Sequence, residues 1–597
     1  MRIKVSDYIA NFLCEKNINT VFTVVGGGAM HLNDSFGHHE QIRCIYNHHE
    51  QACAMAAEGY AKYTNVPAVV CVTSGPGAIN ALNGIAGAYQ DSAPMLVFTG
   101  QVKRALLEKE SGLELRTLGG QEFDIVSAVG KMTKYAETVM DPEKIRCYLE
   151  KMYYMATTGR KGPCLLDIPI DVQGAYIETE FLESYDFDRE TLNNYVDWEL
   201  LVDKLEQAER PIIYAGNGIR YSGGMELFRE LIEKYQIPVV TCWDSIDLIE
   251  TDHPLYCGRA GIMGDRPGNF AVQNSDFLLC IGNRLSIYQV GYNISTWARG
   301  AYVVAVDIDE NELKKPIIRV DLPICMDAKA FMDAMIEKIE GPSTAEAWRK
   351  QCLIWKEKYP VVMQKQRMQR QTNVYAFIEQ LSKMLPDRAC TVVSNGSASV
   401  VGSAAYFIGK DSRFIMNCAM SSMGYGLPAA IGAGIAMNGK QAVVCIEGDG
   451  SIMMNLQELA TVVANRLPIK IFVINNNGYH QIRQTQTNIF GNGLVGVGPE
   501  SKDLLFPNFE KLSEAFGIIY KKIVENSESD LVIREILRND EPVLCEVFVD
   551  IEQKFEPKSA TKRLPDGSLY SPPLEDLAPF LSREELKQNM YIPMIEE

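Results

Sequence analysis

Two clusters of polar residues and glycines follow apolar runs in the last third of the sequence and offer oxygen ligands to a metal ion. Gly448-Asp449-Gly450-Ser451 follows AVVCIE, and Asn475-Asn476-Asn477-Gly478 follows IKIFVIN. Both runs are typical of buried strands, so the clusters are predicted at the carboxyl ends of neighbouring parallel strands, where open α/β sheets bind ligands. A carboxylate, an amide and a backbone carbonyl suit a hard divalent cation, with diphosphate oxygens completing its coordination. Either cluster alone would be an ordinary strand-to-helix turn.

Together the clusters resemble the thiamine diphosphate signature, which is GDG, an intervening helix and NN. Here 27 positions separate Asp449 from Asn476. The resemblance implies that three groups bind a divalent metal, Mg²⁺: Asp449, Asn476 and the carbonyl of Gly478. It places three further residues beside the diphosphate: Gly448, Gly450 and Ser451. The sequence contains no competing phosphate loop of the GxxxxGK[ST] type.

A glutamate at the start of a helix in the first domain is the candidate proton relay. Thiamine diphosphate loses its C2 proton through the aminopyrimidine N1′, which a carboxylic acid must contact. In CIYNHHEQACAMAAEGYAKYTN an apolar strand precedes Glu50, which opens an amphipathic helix. The helix dipole alone would favour an acid at this position. The segment resembles the family's (R/N)HE-x-x-A-x-x-A-A-x-G-Y-A-(R/K) pattern, which places Glu50 at the catalytic position and leaves His48 and His49 outside the catalytic set.

Further stretches resemble loops that surround the cofactor in this family: TVVGGGAMHLND, SGPGAIN, SNGSAS and AMSSMGYGLPAAIGAGIA. In the last of these, Met423 matches the large apolar residue that props the cofactor into a bent conformation, although a buried methionine is ordinarily a gap filler. The resemblance places eight residues next to the cofactor or substrate: Gly26, Gly27, Gly28, Ser74, Gly75, Gly396, Ser397 and Met423.

Over about residues 1–552 the resemblance is closest to the large subunit of acetolactate synthase. GGQEFDIVSAVGKMTKYAETV is similar to that enzyme's loop with a glutamine and a lysine near the substrate, here Gln121 and Lys134. RPIIYAGNGIRYSGG, FLLCIGNRL and AYVVAVDIDENEL resemble FAD-binding stretches. Five residues would then lie along the dinucleotide: Gly216, Gly218, Arg284, Asp307 and Asp309. Central domains of this family also retain the fold without FAD, and both alternatives stay open.

Three positions depart from the acetolactate synthase pattern. Thr485 replaces a tryptophan that selects the acceptor, Gly396-Ser397-Ala398 replaces Gly-Gln-His near the diphosphate, and Gly120 replaces a phenylalanine. These changes indicate an enlarged and more polar acceptor pocket. The first hypothesis is therefore a carboligase that decarboxylates pyruvate and transfers the two-carbon unit to a carbonyl acceptor, such as a nucleotide-linked keto-sugar.

Two alternatives stand beside the carboligase. A 2-oxo acid decarboxylase, a lyase, would release an aldehyde instead of joining two substrates, and the FAD-like stretches with Gln121 and Lys134 favour the ligase over it. A catalytically silent homologue would lack Glu50 or the metal ligands. All of these residues are present in the sequence.

The elements that position these residues form three α/β units in series. Short apolar runs alternate with helical periods, which predicts doubly wound domains with mainly parallel sheets. The expected bounds are 1–175 for a pyrimidine-binding domain, 190–342 for a central FAD-like domain, 370–552 for a diphosphate-binding domain and 553–597 for a tail or lid. The stretches around 176–197 and 341–371 are the expected connectors.

The composition is that of an ordinary globular protein, with 47% hydrophobic and 22% charged residues among 597. The net charge of -18 argues against a nucleic-acid backbone or an anionic membrane surface as partner. The 15 cysteines are scattered, mostly in apolar runs, and are expected to be reduced core residues. Without a signal peptide or an apolar run of about 20 residues, a cytoplasmic location is expected. The resemblance implies a homodimer or homotetramer with active sites between subunits.

Overall fold

Three parallel sheets follow one another along the chain, each covered by helices. The computed structural model describes residues 2–187, 195–341, 346–439, 441–563, 567 and 569–595. Each sheet has six strands in these ranges, all paired in parallel, which confirms the α/β class with three doubly wound units. Within the two expected connectors, residues 188–194 and 342–345 lie outside the described residues.

The most apolar runs of the first domain form the central strands of its sheet. These strands are buried on both faces because helices cover both sides of the sheet. Its strands in spatial order are Arg43–Tyr46, Thr20–Thr23, Ala68–Val72, Met95–Gln101, Pro163–Pro169 and Tyr135–Thr138. Its principal helices are Val5–Glu15, Met30–His38, Glu50–Thr64, Pro76–Asn80, Leu82–Gln90 and Ile145–Thr157. An antiparallel pair, Arg2–Lys4 with Tyr176–Glu178, joins the start of the chain to residues just beyond this sheet.

The central sheet repeats this architecture. Its strands in spatial order are Tyr256–Arg259, Val239–Thr241, Pro211–Ala215, Phe277–Ile281, Tyr302–Asp307 and Leu322–Cys325. Its principal helices are Trp198–Glu206, Met225–Tyr235, Arg266–Asn274, Ala328–Lys338 and Glu346–Lys358. The last of these helices lies in the second expected connector and buries Trp348 and Trp355 against the central domain.

The third sheet has the same strand order as the first sheet. Its strands in spatial order are Arg413–Ile415, Cys390–Val393, Val443–Gly448, Lys470–Asn475, Val543–Phe548 and Ile519–Ile523. Its principal helices are Val374–Lys383, Ser397–Ala405, Gly426–Ala436, Leu459–Ala464, His480–Thr485, Phe509–Phe516 and Asn526–Leu537. In each of the three sheets the first strand in sequence has its second on one side and its third or fourth on the other. Ligands bind at such switch points in open α/β sheets.

The first and third domains share one apolar core because helix Glu50–Thr64 packs against helix Gly426–Ala436. A Cβ at Gly432 would lie 1.9 Å from the carbonyl oxygen of Ala56, and one at Gly59 would lie 2.3 Å from that of Ala429. Glycine at these crossings lets the two helix backbones touch.

Gly432→Ala is therefore expected to destabilise the protein by about 3 kcal/mol, since the helix backbones must separate to admit the methyl group. Gly120→Ala is the matched control, because a Cβ at Gly120 meets no atom within 4 Å. Thermal unfolding followed by circular dichroism compares the two variants. A wild-type melting temperature for Gly432→Ala would contradict the close helix packing.

The carboxyl-terminal tail lies on the central domain. Leu577 is fully buried, and the carboxylate of Glu575 accepts a hydrogen bond from Gln273 Nε2 at 2.6 Å. Trp355 Nε1 donates to Asn589 Oδ1 at 2.9 Å, just past the terminal helix Arg583–Gln588. Around Leu577 and Asn589 the tail is thus packed against the central domain.

None of the described helices is both long and apolar enough to cross a membrane. All fifteen cysteines are free thiols, and ten of them are buried. Burial raises the pKa of the Cys280 thiol to about 12, which keeps it neutral and unreactive.

Candidate functional site

The glycine loop of the first domain, Gly26–Gly28, lies at the switch point of the sheet, between the ends of strands Thr20–Thr23 and Ala68–Val72. The backbone N–H of Gly28 donates to Thr73 Oγ1 at 3.0 Å. A Cβ at Gly26 would lie 2.5 Å from Thr73 Cβ, and one at Gly28 would lie 2.5 Å from Ser74 Oγ. Small residues are therefore needed for the two loops to meet, whereas Gly27 has open space around its Cα.

Glu50 is the first residue of its helix and borders this loop cluster. The side chain of His49 caps the helix by accepting a hydrogen bond from Gln51 N at 3.0 Å. Glu50 Oε2 accepts a hydrogen bond from Asn80 Nδ2 at 2.9 Å, and its Oε1 would lie 3.3 Å from a Cβ at Gly77. One carboxylate oxygen is thus anchored by Asn80.

Gln121 joins this group and Lys134 lies elsewhere. The carbonyl oxygen of Gln121 would be 2.4 Å from a Cβ at Gly75, and both residues have positive φ angles, +66° and +58°. Lys134 Nζ instead donates to the carbonyl of Thr158 at 2.7 Å, and its aliphatic stem lies over Gly162. The structure therefore brings Glu50, Gln121 and the glycine loop together, and places the Lys134 amine at the Thr158 turn.

The two polar clusters of the third domain meet at the ends of two neighbouring strands. We call Asn475–Gly478 the metal loop. Asp449 Oδ2 accepts a hydrogen bond from Gly478 N, and its Oδ1 accepts one from Gly450 N, both at 2.8 Å. Asn476 Nδ2 donates to Ser397 Oγ at 3.1 Å. The two sequence clusters, in which Asp449 and Asn476 are 27 positions apart, thus form one site at the carboxyl ends of two central strands.

The polar atoms of this site fit a divalent cation. Asp449 and Asn476 are buried, and Asn476 Oδ1 has no hydrogen-bond partner in the structure. Burial raises the pKa of Asp449 to about 7, because its charge is removed from water and only partly offset by backbone N–H groups. A bound cation would satisfy the amide oxygen and hold the carboxylate ionised. Among the described residues no group of three or more His, Cys, Asp or Glu side chains could hold a metal ion.

The loops beside the metal site are tied together by serine hydroxyls. Ser451 Oγ lies 2.6 Å from Ser394 Oγ and accepts a hydrogen bond from Gly424 N at 2.9 Å. Met423, the residue before Gly424, is therefore held at this edge. Gly396 has φ +64° at the start of helix Ser397–Ala405. Ser451 thus ties the loop that carries Met423 to Ser394, and Gly448 lies beside it, since a Cβ there would be 3.8 Å from Ser451 Cβ.

The central domain contains a separate cavity of about 850 Å³, within the range of cofactor pockets, at the carboxyl ends of its strands. It spans the switch point between strands Pro211–Ala215 and Phe277–Ile281, and it borders the first and third domains at Asp91 and Cys418. Trp243 lies in its wall. Its position, size and mixed polar and aromatic lining fit a dinucleotide.

The five residues expected along a dinucleotide have different surroundings. Gly218, Arg284 and Asp307 line the cavity. Gly216 packs on a neighbouring loop instead, since a Cβ there would lie 2.3 Å from Asn283 Cα. Arg284 Nε pairs with Glu312 at 3.2 Å and its Nη1 donates to Gln90 O at 3.1 Å. Asp309 pairs with Arg160 at 3.0 Å. Burial raises the pKa of Asp307 to about 6.

Sequence reasoning missed several residues that brace the site. Glu458, fully buried in the third domain, accepts hydrogen bonds from Asn47 Nδ2 at 2.9 Å and from His48 N at 3.0 Å. It thereby holds the segment that leads into Glu50. Arg483 binds the carbonyls of the metal loop. No local motif marks Glu458, because its partners lie 410 and 411 positions away.

Comparison with known proteins agrees with this geometry. Three family descriptions match the chain: thiamine pyrophosphate enzyme, N-terminal TPP binding domain, over residues 3–127; thiamine pyrophosphate enzyme, central domain, over 199–335; and thiamine pyrophosphate enzyme, C-terminal TPP binding domain, over 394–547. Thiamine pyrophosphate is another name for thiamine diphosphate. The two TPP binding descriptions cover Glu50 and Asp449, respectively.

Relatives of the chain match it over nearly its whole length. The acetolactate synthase large subunit of Lactococcus lactis subsp. lactis is 33% identical over 563 residues, covering 92% of this chain and 93% of that protein. Acetolactate synthase isozyme 2 large subunit of Escherichia coli is 30% identical over 585 residues, covering 96% and 100%. Acetolactate synthase 2, chloroplastic, of Nicotiana tabacum is 30% identical over 589 residues, covering 95% and 84%. The acetolactate synthases of these three organisms are thus relatives of this chain. The chain belongs to the thiamine pyrophosphate enzyme family.

Proposed function

We propose that this chain is an acetolactate-synthase-like carboligase that decarboxylates pyruvate, or a related 2-oxo acid, and transfers the two-carbon unit to a carbonyl acceptor. The observation that carries the proposal is that Glu50, Asp449 and Asn476 are all present, with the contacts described above, in a chain that matches acetolactate synthases over more than nine-tenths of its length. Bound thiamine diphosphate would supply the electron sink for decarboxylation.

The roles of the protein groups follow from their contacts. Asp449, Asn476 Oδ1 and the carbonyl of Gly478 would hold Mg²⁺, and the ion would hold the diphosphate. Glu50 would hold a proton at the aminopyrimidine N1′, with Asn80 fixing the orientation of its carboxyl group. Ser451 and Gly450 would line the diphosphate. A Cβ at Gly450 would collide with the Tyr479 ring, so only a glycine fits there.

Incubation with pyruvate, thiamine diphosphate and Mg²⁺ tests the reaction. A carboligase releases carbon dioxide and forms a branched product such as acetolactate, or a product with an added carbonyl acceptor. Release of acetaldehyde without any carbon–carbon bond formation would identify the lyase instead. Absence of both carbon dioxide and a coupled product across candidate acceptors would overturn the proposal.

We further propose that the acceptor is bulkier than pyruvate, such as a nucleotide-linked keto-sugar. The space around two departures from the acetolactate synthase pattern supports this. A Cβ at Gly120 meets no atom within 4 Å, and Thr485 is exposed, with its Oγ1 donating only to its own helix at Gln481 O. Neither residue occupies the volume that an aromatic side chain would fill.

Thr485→Trp is expected to restrict the acceptor pocket and to lower kcat/KM for a bulky acceptor by about 10-fold or more, because an indole would occupy the open volume. Carbon dioxide release from pyruvate alone should change little, since Thr485 does not contact the metal-loop residues. Steady-state kinetics with pyruvate and with keto-sugar acceptors measure both quantities. Equal kcat/KM for all acceptors in both proteins would contradict the assignment of Thr485 to the acceptor pocket.

We propose that the central cavity binds FAD. Its volume of about 850 Å³ and its place at a sheet switch point support this, and Asp307 is positioned at a strand end where ribose hydroxyls bind in dinucleotide folds. The visible absorption spectrum of the purified or FAD-reconstituted protein tests the proposal. A flavin spectrum that Asp307→Ala weakens would support it, and a protein that stays colourless after reconstitution would overturn it.

We propose that the active sites lie between the subunits of a homodimer or homotetramer. Large apolar side chains are exposed around both halves of the site, as expected for a surface that a second copy covers. They are Val25, Tyr46, Ile79, Met420 and Met454. Mixing inactive Glu50→Gln and Asp449→Ala proteins should then restore part of the activity, because a mixed dimer contains one intact site. Without any recovery after subunit exchange, sites between subunits are ruled out.

A further inference from the structure

The metal loop is gripped from one side by a buried arginine. Arg483 is 5% exposed and lies on helix His480–Thr485, which begins two residues after Gly478. Its Nη1 donates to the carbonyl of Asn476 at 3.0 Å and its Nη2 to the carbonyl of Asn477 at 2.7 Å. These hydrogen bonds fix the carbonyls of Asn476 and Asn477, and Asn477 has a positive φ of +58°. The orientation of the next carbonyl, that of Gly478, therefore follows from the backbone of the loop.

A second segment clasps the same loop. Arg483 Nε pairs with Glu500 Oε2 at 3.0 Å, and Tyr479 N donates to Val497 O at 2.8 Å. Gly478 packs directly on Val497, whose carbonyl oxygen would be 2.3 Å from a Cβ at that glycine. The position of helix His480–Thr485 therefore sets the position of the proposed metal ligands.

The other face of this helix is attached to the start of the carboxyl-terminal tail. His480 Nε2 lies 2.6 Å from the carbonyl oxygen of Gln553, and Gln484 Nε2 donates to the same oxygen at 2.9 Å. The rings of His480 and Phe555 meet edge to face with centroids 5.3 Å apart. His480 is 5% exposed and Phe555 is 3% exposed, so this contact is a buried one.

The start of the tail is itself fixed to the body of the third domain. Gln553 Oε1 accepts a hydrogen bond from Asn373 Nδ2 at 2.5 Å, and Glu556 N donates to Tyr375 Oη at 2.9 Å. Both partners lie at the beginning of helix Val374–Lys383. The tail then continues onto the central domain, where Leu577 is buried. Ser559 N also donates to the carbonyl of Ile262 at 2.8 Å, so the described part of the tail contacts both the central domain and the helix that carries Arg483.

We propose that residues 553–555 act as a latch that positions the metal loop through helix His480–Thr485, with His480 and Gln484 as the positioning residues on the tail side and Arg483 on the loop side. This rests on the proposed metal site, and it assigns the tail a role in metal and cofactor affinity rather than in covering the substrate. Residues that orient metal ligands from outside commonly change metal affinity 10- to 100-fold.

The test compares the double variant His480→Ala/Gln484→Ala with Glu552→Ala, which changes an exposed side chain just before the latch and retains the Gln553 carbonyl that both side chains bind. Hydrogen exchange of the apo-protein reports on the loop, and Mg²⁺-dependent quenching of intrinsic fluorescence by thiamine diphosphate reports on binding. The double variant should exchange the amides of Gly478 and Tyr479 about 10-fold faster and need about 10-fold more Mg²⁺. Glu552→Ala should stay close to wild type in both, and His480→Gln, which keeps a side-chain N–H donor, should recover part of the loss.

A folded double variant with wild-type exchange and a wild-type Mg²⁺ requirement would overturn the latch. So would a loss of turnover without any change in either measurement, because the two residues would then act elsewhere. Thermal unfolding identifies the folded variants, and Phe555→Leu provides a milder change in the same contact should the double variant not fold. Asp449→Ala separates the two levels: if it binds Mg²⁺ and cofactor like wild type, the proposed metal site itself fails.

Discussion

Replacing Glu50 with glutamine is expected to lower turnover by about 10²- to 10⁴-fold while leaving the cofactor bound. Glutamine matches glutamate in size and still offers an oxygen to Asn80 Nδ2, so the local contacts are preserved. The amide cannot share an acidic proton with the aminopyrimidine N1′. The affinity for the cofactor is expected to depend on Asp449 and on the metal loop. Glu50 contacts neither of them within its own chain. Turnover with pyruvate and fluorescence titration with thiamine diphosphate measure the two effects separately.

Asn80→Ala provides the comparison for this experiment. It removes the hydrogen bond to Glu50 but not the carboxyl group, and it should lower turnover by about 10-fold, well short of the loss in Glu50→Gln. Turnover near the wild-type value in Glu50→Gln would remove Glu50 from the proton relay. Equal losses of turnover and of cofactor affinity would instead make it a binding residue.

Asp449→Ala is expected to abolish Mg²⁺-dependent cofactor binding, with a loss of affinity above about 100-fold. The change removes one of the three proposed ligands. It also removes the acceptor of Gly478 N, so the metal loop loses its link to the neighbouring strand. Isothermal titration with thiamine diphosphate, with and without Mg²⁺, measures the loss.

Asp387→Asn is the matched control for Asp449→Ala, because Asp387 is an exposed carboxylate in the same domain. It should bind Mg²⁺ and cofactor like wild type. Since burial raises the pKa of Asp449 to about 7, removing this carboxylate should not unfold the apo-protein. Wild-type cofactor affinity in Asp449→Ala would refute the metal assignment.

The parts of the site that sequence patterns predicted are those with local signals. The metal loop and Asp449 each follow an apolar strand, and parallel strands bring their carboxyl ends together, so the two clusters were expected to meet. Their assignment to a metal came from resemblance to the thiamine diphosphate signature. Glu50 was singled out because the segment around it resembles the family's helix pattern, since its position at the start of a helix would be favoured by the helix dipole alone. The fold class followed from the same alternation of strands and helices.

The remaining features depend on distant contacts that no local pattern records. Glu458 and Asn47 are 411 positions apart and meet only because the first and third domains pack together. Gly216 has the spacing of a cofactor-binding glycine, yet its small size is explained by packing on Asn283. Lys134 aligned with a substrate loop, and its amine is placed instead by a hydrogen bond to Thr158, across a turn that the sequence does not specify.

The central claim is that one thiamine diphosphate, held at Asp449 and Asn476, is activated by Glu50. Exchange of the cofactor's C2 hydrogen in D₂O, followed by quenched-flow and NMR, tests this without any substrate. Wild-type protein with Mg²⁺ should exchange this hydrogen far faster than free cofactor, and Glu50→Gln with bound cofactor should exchange it near the free rate. Fast exchange in Glu50→Gln, or no acceleration by the wild-type protein, would contradict the account.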